Sequence, residues 1–177
     1  GVAADVAVRV NLGDKVSVVF AGDPLPDDRR RSLVPIDRLR SVEEEVIEDG
    51  SRSLEQYLRL EGYRAASAPA TRRRADGMLR ITFDVTRGPL HVLSRVETAG
   101  VSALPRTELD PLLKLLPGEP YVDARIAAVG GALVEYYRVR GFVAVSVLPQ
   151  VTFPGGTDAA KVPVDVRFQI TEGPRTI

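Results

Sequence analysis

Cysteine is absent from the 177-residue chain, which removes disulfides, thiolate catalysis and cysteine-ligated zinc or iron–sulfur sites. Tryptophan is absent too, and histidine occurs once, as His91. A single imidazole argues against a histidine-based metal site and against a Ser-His-Asp triad. No run approaches the roughly 18 apolar residues that a membrane-spanning helix needs. Neither sign of charge is in excess: 24 Lys and Arg face 24 Asp and Glu, so no large positive field marks a general nucleic-acid binder. Lysine is scarce, with Lys15, Lys114 and Lys161 alone among the 24 basic residues. No Gly-rich cradle followed by Lys-Ser or Lys-Thr is present to hold a phosphate. Neither a cofactor nor a small-molecule substrate is therefore expected, and the length suits one domain or two small ones.

What the chain does have is a repeat. Gly62-Tyr63-Arg64-Ala65-Ala66-Ser67 returns 79 residues later as Gly141-Phe142-Val143-Ala144-Val145-Ser146, and at the same offset Leu54 maps to Leu133 and Tyr57 to Tyr136. A strand ending in Gly occurs three times, closing at Gly13, Gly88 and Gly173, the last two followed by Pro89 and Pro174. The expected organisation is the last strand of a preceding unit over 1–13, one unit over 14–88 and a second over 89–177. The chain opens on Gly1, not Met, and this pattern reads as a piece of a longer array.

Each unit reads as strand, two helices, strand, strand. In the first, Lys15 to Phe20 alternates as a strand, and about Asp27 to Leu33 suits a short helix. Ser41 and Glu44 fit a capping box ahead of a long helix that Gly62 stops. Tyr63 to about Thr71 and Met78 to Thr86 are the remaining strands, joined by a polar loop over Arg72–Gly77. In the second, His91–Glu97 is a strand, Pro105–Leu116 and Asp123–Arg140 are helices, and Phe142–Phe153 and Lys161–Thr171 are strands. The mid-helix glycines Gly50 and Gly130-Gly131 suggest either close approach of helix to sheet or a kink. The fold class is α+β, with each unit β-α-α-β-β and a three-stranded mixed sheet covered on one face by two helices.

Taken together, Tyr57, Gly62, Tyr63 and Ala65, then Phe83, Val85, Gly88 and Pro89, and in the second unit Gly100, Leu115, Pro117, Gly118, Tyr136, Gly141, Phe142, Ala144, Phe168, Glu172, Gly173 and Pro174, resemble POTRA domains. These are the polypeptide-transport-associated repeats of the BamA/TamA outer-membrane assembly family. The first unit departs from the pattern, with Gly13-Asp14 lacking the Pro and Asp23–Arg40 lacking a counterpart to Leu115-Leu116-Pro117-Gly118. The resemblance implies a periplasmic module of an outer-membrane protein, followed by a carboxy-terminal membrane β-barrel. It implies as partners unfolded outer-membrane proteins or assembly-complex subunits, with no nucleic acid. The alternative is an adaptor module of a two-partner secretion transporter or a cell-division protein.

No constellation has the form of an active site, and no enzyme is expected. Glu43-Glu44-Glu45 with Glu48 and Asp49 reads as a solvated helix start, where the dipole favours negative charge. Ser102 and Thr107 have no His at a catalytic spacing. Arg29–Arg31 and Arg72–Arg74 are basic triplets offset by Asp27, Asp28 and Asp76, and Gly88 and Pro89 read as an inter-domain hinge. The informative feature is the second strand of each unit. At a sheet edge its free amide and carbonyl groups accept another strand. The candidate binding residues are Tyr63, Arg64, Ala65 and Ala66 in the first unit, and Phe142, Val143, Ala144, Val145 and Val147 in the second.

Overall fold

The computed structural model describes residues 15–35, 43–156 and 158–176. The capping residue Ser41 and the lone strand expected within 1–13 lie outside the described residues. By contact density the chain divides into two compact units: the chain up to Ser53 with Ala68–Val85, and Leu54–Ser67 with everything from Thr86 onward. Each sheet is described by itself.

In the first, β1 (Lys15–Gly22) lies parallel to β3 (Met78–Val85), and β2 (Ala70–Ala75) lies antiparallel on its other side. The order β1-β3-β2 puts the last strand of the repeat in the middle. Alternation along β3 sends Leu79, Ile81, Phe83 and Val85 into the core and Met78, Arg80 and Asp84 to solvent. Phe20, opposite Phe83 in register, stacks on its ring at 5.7 Å. The helices are α1 (Asp27–Leu33) and α2 (Glu44–Leu60). Gly50 answers the question of close approach: a Cβ there would stand 3.1 Å from the Phe83 ring. Gly130 is weaker, with 4.0 Å to Phe168.

The second sheet repeats the plan. β4 (Leu90–Ala99) runs parallel to the central β6 (Lys161–Thr171), and β5 (Ser146–Thr152) pairs antiparallel with it, in the order β4-β6-β5. Val164, Val166, Phe168 and Ile170 of β6 pack with Leu109 of α3 (Arg106–Leu113) and with Ile126, Leu133 and Tyr137 of α4 (Asp123–Arg138). Removing one such Leu or Phe side chain costs about 2–5 kcal/mol.

Three expectations are corrected. Helix α3 stops at Leu113 and not at Leu116, because Pro111 removes an interior donor and Lys114 turns left-handed at φ 43°. The Arg72–Arg74 triplet is strand, not loop. The loop is Asp76-Gly77 alone, with φ 52° and 69°, the two left-handed residues of a tight hairpin turn. Finally, the second strands begin later than expected, at Ala70 and Ser146 and not at Tyr63 and Phe142.

Candidate functional site

That late start redraws the candidate edge. In both repeats the long helix ends on a left-handed glycine, Gly62 at φ 99° and Gly141 at φ 93°. The next amide reaches back five residues, Tyr63 N–H to Leu58 O and Phe142 N–H to Tyr137 O. A second turn follows, closed by Ala66 N–H to Tyr63 O and Val145 N–H to Phe142 O. Tyr63, Arg64, Ala65 and Ala66, and likewise Phe142, Val143, Ala144 and Val145, therefore form turns and no sheet edge. Burial follows the turn period: Phe142 and Val145 are buried, while Val143 and Ala144 between them are exposed. An uncharged apolar run is ambiguous between a strand and such a plug, and here it is the plug.

Several of these residues have a structural neighbour. A Cβ on Gly88 would meet the Ala65 Cβ at 3.5 Å, and one on Gly173 would meet the Ala144 Cβ at 3.2 Å. The two Gly-Pro motifs thus sit over the small residue of each turn. Arg64 lies 5.4 Å from the Phe153 ring and 5.9 Å from that of Tyr121, with Asp123 at 3.8 Å. Arg87 lies 5.5 Å from the Tyr63 ring. His91 is held by its backbone, its N–H donating to Gly62 O and its carbonyl accepting from Tyr121 N–H.

Val147 does lie in an edge strand. β5 pairs with β6 on one side, and among the described residues no strand pairs with its other side. Pro149 sits at its centre, opposite Phe168, a residue the sequence reading passed over. Proline is tolerated in an edge strand where its missing N–H would point away from the ladder. Residues two apart point alike. Val147 and Val151 therefore turn both N–H and C=O outward, and Pro149 its C=O. Leu148, 64% exposed, stands on the solvent face of the same strand. The other edge of this sheet is partly covered, since Glu119 O accepts from Leu93 N–H and Gly118 N–H donates to Leu93 O. In the first sheet β2 takes the corresponding place beside the central strand. Beside it runs a groove of about 320 Å³ between Glu44, Ile47, Glu48 and Ser51 of α2 and Ala70 and Arg72 of β2.

Glu172 was legible only as part of a motif, and its role comes from the structure. Its carboxylate, 8% exposed, accepts from Ser102 N–H at 2.9 Å, Ser102 Oγ at 2.5 Å, Ala103 N–H at 3.0 Å and the Tyr137 hydroxyl at 2.9 Å. Burial by itself pushes this carboxyl up. The bonds from Ser102, Ala103 and Tyr137 outweigh it and hold the group down to about 2. The Tyr137 phenol is pushed up, first by burial and then by its bond to Glu172. Ser102 is thus an anchor for a carboxylate and has no catalytic geometry. Among the described residues no group of three or more His, Asp and Glu is placed to hold a metal ion, and no helix is long and apolar enough to cross a membrane.

A model of the POTRA family, described as a surface antigen variable number repeat, matches residues 91–173. No curated protein matches the chain by sequence. Among solved structures, POTRA domains 3–5 of BamA from Haemophilus influenzae align with a TM-score of 0.55 at 17% identity, over 90% of this chain and 61% of that one. BamA from Haemophilus ducreyi lacking POTRA domains 1–3 aligns with a TM-score of 0.64 at 14% identity, over 90% of this chain and 29% of that one. The chain thus spans less than two thirds of the length of either, and at these identities the likeness is one of fold. Residues 91–173 thus match the POTRA family model, and the chain has a fold like that of the POTRA repeats in these two BamA structures.

Proposed function

We propose that this chain is the periplasmic part of an outer-membrane assembly or secretion protein and that it holds extended segments of unfolded outer-membrane proteins, or of accessory subunits, by adding them as a strand to β5. The observation that carries the reading is the open side of β5, where Val147 and Val151 turn donors and acceptors outward beside the exposed Leu148. Main-chain bonds tolerate any client sequence, which suits a module that handles many clients. Pro149 lowers the donor count by one and limits how long a strand the edge takes, which also guards it against self-association. In this reading a membrane β-barrel belongs to the same full-length protein, the domains are 14–88 and 89–177, and Gly88 and Pro89 are the hinge.

The test is binding of an extended outer-membrane-protein peptide to the wild-type chain and to Val151→Pro, which deletes an outward donor and leaves the β6 ladder intact. Wild type should bind, the amides of Val147 and Val151 should gain exchange protection, and the variant should bind several-fold more weakly with an unchanged circular dichroism spectrum. A folded Val151→Pro variant that binds as wild type does, with no protection gained along β5, overturns strand addition.

A further inference from the structure

The two sheets share one plan, so their solvent faces can be compared row by row. In the second sheet the arginines of that face stand beside carboxylates. Arg167 lies opposite Glu97 in register and bonds it at 2.7 Å, and Arg95 lies opposite Asp165. The corresponding rows of the first sheet are built differently. Where the second sheet has Thr152, Asp165 and Arg95 across its three strands, the first has Arg73, Arg80 and Ser17. The two guanidinium side chains stand directly opposite one another, on the face away from the buried Leu79 and Ile81. Lys15, opposite Met78, adds a third cation one row along.

Like charges opposite one another in a ladder destabilise it. Neither Arg73 nor Arg80 makes an ion pair with a described carboxylate. Asp76 lies in the hairpin turn at the lip of the same depression, whose volume is about 450 Å³ and whose other lining residues are Arg73, Ala75, Met78 and Arg80. Asp84 is four residues along β3 from Arg80, about 13 Å away. The tight Asp76-Gly77 turn fixes the register that sets Arg73 against Arg80, so the clash of charge is built in by the hairpin.

We infer that the solvent face of the first sheet docks onto a phosphate-bearing lipid surface. Guanidinium forks match phosphate oxygens bidentately, and two side by side with a lysine nearby suit a plane of headgroups. The partly exposed apolar residues Met78 (39%) and Val19 (38%) lie on the same face, as a surface meeting the headgroup and acyl boundary requires and a purely acidic polypeptide does not. The inference rests on the repeat geometry and stands independently of strand addition at β5.

The experiment is flotation of the full chain with vesicles of phosphatidylcholine alone and with an equimolar admixture of phosphatidylglycerol, at low and raised salt. Wild type should partition onto the anionic vesicles only and release as salt screens the attraction. A cation near such a surface contributes roughly fivefold in partitioning, so Arg73→Gln with Arg80→Gln should lose about twenty-five-fold. Arg29→Gln with Arg31→Gln, which removes the same charge from α1, should bind as wild type. Circular dichroism confirms that each variant folds. Equal binding to both vesicle types overturns the inference, as does equal loss in both double variants or binding to polyglutamate as tight as to anionic vesicles.

Discussion

Replacing Glu172 by Gln keeps the shape of the side chain and removes its charge. One carboxylate oxygen accepts from Ser102 N–H, Ala103 N–H and Tyr137, and the other from Ser102 Oγ and Ala103 N–H. An amide offers one carbonyl oxygen in place of two carboxylate oxygens, and its NH2 faces donors that no longer find an acceptor. Hydrogen bonds to a charged group contribute about 1.5–3 kcal/mol and those between neutral groups about 0.5–1.5. Losing the charge across this network therefore costs about 2–4 kcal/mol at neutral pH. The sign of the pH dependence follows from the depressed carboxyl. With a folded value of about 2 against an ordinary 4.5, the stabilisation is fully present above pH 4.5 and is lost as pH falls from there through about 2. Urea denaturation followed by circular dichroism, needed because the chain has no Trp, gives both numbers. The gap between wild type and Glu172→Gln should be widest near neutrality and should close towards pH 2. A gap that stays constant with pH, or a variant as stable as wild type at pH 7, refutes the carboxylate network.

Two glycines separate strain from collision. Gly141→Ala, at φ 93° and with its Cβ placed 2.6 Å from Thr176 O, should cost about 2–4 kcal/mol by thermal melting, whereas Gly77→Ala, at φ 69° in open space, should cost about 1–2. Equal effects would mean that the tail after Gly173 yields freely. Limited proteolysis should cut first among the exposed residues 153–156 and 158–160 and then near Gly88-Pro89; cleavage within Leu54–Leu60 ahead of both would contradict the helix there. Leu133→Ala, which empties a fully buried site on α4, should destabilise the second unit by about 2–5 kcal/mol, measured by loss of amide protection in β6.

Much of this architecture was legible because repeated punctuation is legible. The bounds of α1 and β6 were met to the residue, and Gly62 and Gly141 were readable as helix stops because a left-handed cap demands a residue without a Cβ. The edge was misplaced by four residues because Phe142 to Val145 is apolar throughout, and a buried turn and a strand look alike when no polar residue reports the period. The Arg72–Arg74 strand was hidden by its own charge. The Asp-Gly pair that follows it was the better guide, since a two-residue turn forces its flanks to pair.

The repeat also shows which contacts the fold requires and which it leaves free. Stacking the two units by their shared spacing sets Leu54 on Leu133, both fully buried, and sets Leu58 on Tyr137. Aligning the two Gly-Pro motifs, 85 residues apart, sets Arg87, the residue before Gly88-Pro89, on Glu172, the residue before Gly173-Pro174. The two positions differ together. Where the second repeat has a buried tyrosine it has the carboxylate that accepts its hydroxyl, and where the first has a leucine it has an arginine that stacks on Tyr63. A buried phenol without an acceptor would cost about 1–3 kcal/mol, so Leu58→Tyr by itself should destabilise the first repeat while Tyr137→Phe harms the second less than Glu172→Gln does. The backbone plan, with its capped helix, its turn and its Gly-Pro over alanine, is common to both units. The repeats diverge instead on their solvent faces, where the docking proposed above is placed.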